Sequence, residues 1–120
     1  MEQQTFEQKR EYYRLKYPKR ARPTMRIEDQ LFHVCESSER GLRLLMQNVA
    51  ALHRGLKMSG TINLHGDRHI QIEGSVLRVE EHEVVVKLDK GISFKEMVEE
   101  QRHIRQKFPS FFTNQRTYAA

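Results

Sequence analysis

The sequence predicts a mainly β domain: a small antiparallel barrel of six short strands with one C-terminal α-helix packed on it and a flexible N-terminal arm ahead of it. Three observations carry this. Short apolar–polar alternations recur between residues 24 and 88, separated by polar turns. The apolar period becomes helical near residue 93. The first 22 residues keep neither period. The expected organisation is therefore a basic arm over 1–22, the barrel with its closing helix (about 92–108) over 23–109, and a tail over 110–120.

Thr24–Ile27 opens the barrel with Met25 and Ile27 on one face, and Glu28-Asp29 turns the chain. Leu31–Cys35 follows, with Phe32 and Val34 on the face opposite Leu31, His33 and Cys35. A polar break, Glu36-Ser37-Ser38-Glu39-Arg40-Gly41, precedes Leu42–Met46, whose Leu42, Leu44 and Met46 share a face. Residues 47–58 leave two readings open. Val49, Leu52 and Leu56 have helical spacing with Gly55 as a stop, and an apolar loop lying on the barrel explains them as well. Gly60–Leu64 is a strand and His65-Gly66-Asp67-Arg68 a turn. His69–Val79 is a long strand aligned by Ile70, Ile72 and Val76, in which Gly74 marks a bulge or sharp bend. Glu80-Glu81-His82 turns into Glu83–Leu88, with Val84, Val86 and Leu88 together. Ser93 then caps a helix and Glu96 is placed to reach back to it. Phe94, Met97, Val98, Ile104 and Phe108 form the helix's apolar stripe, acids precede bases along it as the dipole favours, and Pro109 ends it.

Composition narrows the function. The chain has 120 residues, 31% of them charged, which suits one domain with one core. A single cysteine, Cys35, excludes a disulfide framework and a cysteine zinc site within one chain, and reads as a small half-buried strand residue. No apolar run approaches the ~18 residues of a membrane span. The opening MEQQTFEQKREYY lacks the apolar centre of a secretion signal, so a cytoplasmic location is expected. His65 and His69 are four apart on a hairpin with no third ligand in view, so the histidines read as surface residues and no metal is expected. The helix carboxylates read as dipole and solvation chemistry. With no Walker loop or dinucleotide fingerprint either, the chain is expected to be no enzyme and to need no cofactor.

The charge balance is +5, and all of the excess lies in one place. Between Lys9 and Arg26 there are eight basic residues against one acid, interleaved with Tyr12, Tyr13 and Tyr17. Such a run is either a solvated arm or a surface for an anionic, stackable partner. Within it, Arg10 and Arg14 stand four apart. Their planar forks can grip phosphate oxygens or the O6/N7 edge of guanine. In the polar break, Glu36 can accept from guanine N1–H and N2–H, Ser38 can add a hydroxyl bond, and Gly41 gives the turn room. A plain turn between strands is the other reading of that break.

In this order and ahead of this strand pattern, the two features resemble the signature of the PilZ domain family: RxxxR, then [D/N]xSxxG at the barrel. Arg10 and Arg14 match the first motif, and Ser38 and Gly41 match the second, with Glu36 where the family has aspartate or asparagine. The strand pattern around Phe32–Leu44, the segment Gly74-Ser75-Val76-Leu77-Arg78 and the closing helix extend the likeness over roughly residues 9–109. The resemblance implies a bacterial receptor or adaptor for the second messenger cyclic di-GMP. Arg10 and Arg14 would hold phosphates and guanine edges, Glu36 and Ser38 a guanine from the barrel side, and Gly41 the turn beneath. Lys9, just before RxxxR, leans toward an intercalated nucleotide pair. Ligand binding would order the arm and expose a surface for a downstream protein. Glutamate is one methylene longer than aspartate, a change worth about 1–2 kcal/mol where the site does not adjust. Two other readings stand beside this one. One is a degenerate PilZ adaptor that does not bind the nucleotide and works through protein contacts. The other is a nucleic-acid barrel, against which the sheet offers few aromatics at stacking positions. The sequence leaves open the partner, the pathway and whether the chain is a monomer or a dimer.

Overall fold

The computed structural model describes residues 13–111. The expected flexible arm ahead of Tyr13, with Lys9 and Arg10, and the tail from Phe112 lie outside the described residues.

Seven strands precede one helix: β1 (Leu15–Lys16), β2 (Thr24–Ile27), β3 (Gln30–Ser37), β4 (Gly41–Leu45), β5 (Lys57–Leu64), β6 (Arg68–Glu80), β7 (Glu83–Lys90) and α1 (Phe94–Lys107). Every pairing is antiparallel. β3 pairs β2, and the ladder continues through β5, β6, β7 and β4 back to β3, so six strands close a barrel. β1 is the extra strand. It lies beyond β2 on the same edge of β3, with Leu15 opposite Ser37 and Lys16 opposite Glu36.

The alternation in the sequence becomes the barrel interior. Met25, Val34, Leu42, Leu44, Ile62, Ile72, Val76, Val84, Val86 and Leu88 are all at most 2% exposed. Long β6 and β7 stay paired only with two register shifts, one at Gly74 and one between Val76 and Arg78. A Cβ on Gly74 would stand 2.1 Å from the Lys87 carbonyl oxygen, so the strands meet there only because the residue is glycine. The segment before β5 is the apolar loop and not the helix. Two turns, Leu52 N–H to Val49 O at 3.1 Å and Leu56 N–H to His53 O at 3.1 Å, lay Val49, Leu52 and Leu56 on the core.

Several expectations change. Part of the segment read as an arm is interior: Leu15, Tyr17 and Ala21 belong to the core, joined by a 3-10 turn at Lys19–Ala21. The buried face of α1 is Met97, Glu100 and Ile104, while Phe94 is 69% exposed. Ile92 takes the inward place ahead of the Ser93 cap, and with Met97 it occupies the positions of a hydrophobic staple. Ser93 accepts from the Glu96 N–H at 3.1 Å as expected, but the Glu96 carboxylate pairs with Arg68. Phe108 caps the helix end ahead of Pro109, and helical geometry resumes over residues 109–111. Among the described residues no helix is long and apolar enough to cross a membrane.

Candidate functional site

The outer face of β3 near its end is set by one extra residue. Val34 pairs with Leu44 and Glu36 with Arg43, so Cys35 is the bulged residue between them. Strict alternation from inward Val34 would send Glu36 into the core. The bulge turns Glu36 outward beside Arg43 and sends Ser37 inward, where it is 1% exposed. On the opposite edge of β3, β1 brings up the chain that follows Arg14. Arg14 Nη1 consequently lies 3.9 Å from Glu36 Oε1, and Arg43 Nε lies 4.0 Å from the same oxygen.

Arg43 is heavily paired on this face. Its Nη1 donates to Glu80 Oε1 at 2.8 Å and Glu83 Oε1 at 2.9 Å, and these bonds hold its pKa above the usual guanidinium value. Arg43 and Arg78 in turn pull the Glu80 carboxyl below its ordinary range. Beside Glu36 runs a cleft of about 410 Å³ whose lining includes Lys16, Arg22, Cys35, Arg43 and Phe111, within the ~300–1,000 Å³ typical of small-ligand sites. Partial burial pushes the Cys35 thiol up, a shift that Arg22 opposes.

The turn after β3 is tightly seated. Ser38 N–H donates to Gly41 O at 2.9 Å, and the Ser38 hydroxyl reaches the same carbonyl at 3.4 Å. Ser38 is 8% exposed. Leu88 N–H donates to Arg40 O at 2.9 Å, and a Cβ on Gly91 would stand 2.2 Å from Glu39 O, so β7 and its exit clamp the turn from behind. Gly41 itself is not in the left-handed region, and a Cβ there would make only ordinary contacts, the nearest with Val86 O at 3.5 Å.

A second cluster fixes β1. Glu100 is fully buried, contrary to its reading as a solvated helix acid. It accepts from the Tyr17 hydroxyl at 3.0 Å, the His65 N–H at 2.9 Å and Arg68 Nη2 at 2.9 Å. Tyr17 also shares a 2.9 Å bond with Ser37. Burial, then the Glu100 charge, raises the Tyr17 hydroxyl well above 10. His65 stacks on His103 at 3.7 Å, and burial together with His65 lowers the His103 pKa. Helix α1, the β5–β6 turn and the exit of β1 thus meet at one carboxylate. Tyr17 and His65, read from sequence as an arm aromatic and a surface histidine, are members of this joint.

A model of the PilZ domain family matches residues 8–108. The chain belongs to the PilZ domain family. Comparison with curated proteins finds no match. PilZ domains are receptors and adaptors for cyclic di-GMP and are not enzymes.

In this PilZ domain, the structure brings Arg14 and Glu36 together on the outer face, with Ser38 and Gly41 in the adjoining turn. Lys9 and Arg10 lie outside the described residues. Sequence reasoning gave no place to Arg43 or to the clamp at Gly91, and named Arg22 and Phe111 only as part of a basic run and of an aromatic tail. Arg43 carried a signal, since it alternates outward between Leu42 and Leu44. The bulge at Cys35 carried none.

Proposed function

We propose that this PilZ domain binds cyclic di-GMP through Arg10, Arg14, Glu36, Ser38 and Gly41, with Lys9 favouring a nucleotide pair. The single observation that supports it most is the approach of Arg14 to Glu36 across the β1–β3 pairing. Residues from two motifs separated by more than one strand converge there on one outward face. Cations and a guanine-reading carboxylate beside a cleft suit a ligand with two phosphates and two guanines. Arg10 and Arg14 close over the phosphates from one side, and Glu36 reads guanine N–H groups from the other. With its charges neutralised, the arm settles over the ligand and presents a surface to a downstream protein in the cytoplasm of a bacterium.

Calorimetric titration with cyclic di-GMP, with GTP as control, tests this. Arg10→Ala and Arg14→Ala are each expected to weaken binding by about 1.5–3 kcal/mol through lost charge-assisted bonds. Glu36→Asp is expected to hold or improve affinity. Equal titration curves for wild type and both arginine variants refute the assignment.

A further inference from the structure

We propose that Phe111 and Arg22, which lie outside both motifs, complete the nucleotide seat: the Phe111 ring is a face on which a guanine stacks, and Arg22 donates to an acceptor oxygen of the same nucleotide. This rests on the cyclic di-GMP reading and extends it.

Three features of the molecule lead here. First, helical geometry resumes after the Phe108 cap and carries Phe111 back to the outer face of β3. Phe111 then lines the same cleft as Glu36 and Arg43. An aromatic ring beside a guanine-reading carboxylate and a guanidinium is the combination that holds a base by its face and its edges. Second, the Nε of Arg22 is buried and has no hydrogen-bond partner among the described residues. An N–H withdrawn from water without an acceptor is costly, so an acceptor delivered by a ligand in that cleft relieves a standing penalty. Third, the cleft already holds its cations apart. Arg43 is engaged by Glu80 and Glu83, whereas Arg22 stands beside Cys35 on the Lys16 side. The Arg22 Nε–H is therefore a donor lining that cleft with unmet bonding capacity among the described residues.

Phe111 also borders a second cleft, lined by Arg20 and Phe108. There Phe108 is already covered by the Arg20 guanidinium, 5.9 Å from the ring centroid, so its face is taken from within the fold.

The test titrates the full chain with cyclic di-GMP, comparing wild type, Arg14→Ala, Phe111→Leu, Phe111→Trp and Arg22→Gln. Phe111→Leu keeps apolar bulk but removes the ring face, and is expected to weaken binding about 5- to 150-fold, the range set by base–aromatic stacking. Arg22→Gln is expected to weaken it about 5- to 20-fold. Phe111→Trp keeps a ring and introduces the chain's first indole, since the sequence has no tryptophan. It is expected to retain affinity and to lose indole emission as nucleotide saturates it, a readout that survives even where Phe111→Leu folds poorly. Should Arg14→Ala lose binding while Phe111→Leu and Arg22→Gln match wild type, this inference falls and the nucleotide reading stands. An indole emission unchanged at saturation removes the stacking role. Absence of any cyclic di-GMP binding by wild type removes both.

Discussion

Replacing Glu100 by glutamine tests whether one buried carboxylate holds the β1 exit to the helix. The carboxylate accepts from Tyr17, the His65 backbone and Arg68 at 2.9–3.0 Å, and both its oxygens lie 3.2 Å from His65 Nδ1. Glutamine is nearly isosteric, so no cavity forms. Its carbonyl oxygen can still serve the His65 N–H and Arg68, while its NH₂ must face Tyr17, whose hydroxyl can rotate to accept. What disappears is charge assistance. A bond to a charged group is worth about 1.5–3 kcal/mol and a neutral one about 0.5–1.5, so two or three such bonds lose about 2–4 kcal/mol in all. At about 3–5 °C per kcal/mol for a domain of this size, the midpoint drops by roughly 6–20 °C. Thermal and urea unfolding followed by far-ultraviolet circular dichroism measure this. Tyr17→Phe alone should cost about 1 kcal/mol, and the double variant should cost less than the sum, because the two residues share a bond. A midpoint within 2–3 °C of wild type for Glu100→Gln, or strict additivity with Tyr17→Phe, refutes the joint.

Gly74→Ala is expected to destabilise by at least about 3 kcal/mol, because the new methyl meets the Lys87 carbonyl oxygen at 2.1 Å and β6 must part from β7; a normal melting curve counts against this. Gly41→Ala is expected to fold with a stability change within about 1 kcal/mol, since its φ is ordinary and Val86 O is 3.5 Å away; a large loss of stability on melting contradicts this. His103 has its folded pKa below 6.5, through burial first and then His65. The unfolded chain therefore takes up the proton first, and the stability contribution is intact above 6.5 and lost as pH falls through that value and the folded one. His103→Gln should flatten the decline in midpoint between about pH 7 and pH 5; an unchanged slope removes His103 from the acid response.

The barrel was legible because its strands alternate cleanly. Leu42 and Leu44, Val84 and Val86 and Ile62 and Leu64 alternate toward the core, and Ser93 with Pro109 brackets the helix. What escaped has a common physical cause. Cys35 as a bulge depends on how β3 registers against β4 across the turn at residues 38–40, and the alternation within β3 alone does not betray it. Glu100 has the composition of a solvated helix acid and is buried only because Tyr17, His65 and Arg68 arrive from elsewhere. Phe94 fits the apolar stripe by number, but Ile92 ahead of the cap already fills the inward place. Residues 15–21 lack a period because they form a two-residue strand and a single 3-10 turn, too short for one to develop.

The ion pairs on this face of the barrel differ in strength in a way that matters. Arg14 and Glu36 approach to 3.9 Å with side chains 42% and 14% exposed, which is an ion pair without a short hydrogen bond. Exposed pairs of this kind are worth about 0–1 kcal/mol, so on the proposed reading a ligand would displace this one at little cost. Arg43 is bound by two carboxylates at 2.8 and 2.9 Å and stays where it is. The neighbouring cations therefore divide by role. On the proposed cyclic di-GMP reading, Arg14 would exchange a weak internal partner for a phosphate, while Arg43 holds the strand face in place. β1 makes that exchange possible. Leu15 is buried opposite Ser37, and Tyr17 is tied to Glu100, so the chain is anchored on the residues just after Arg14. The backbone that carries Arg14 is thus positioned by the fold, which on the proposed reading lowers the entropy cost of bringing its side chain to a ligand.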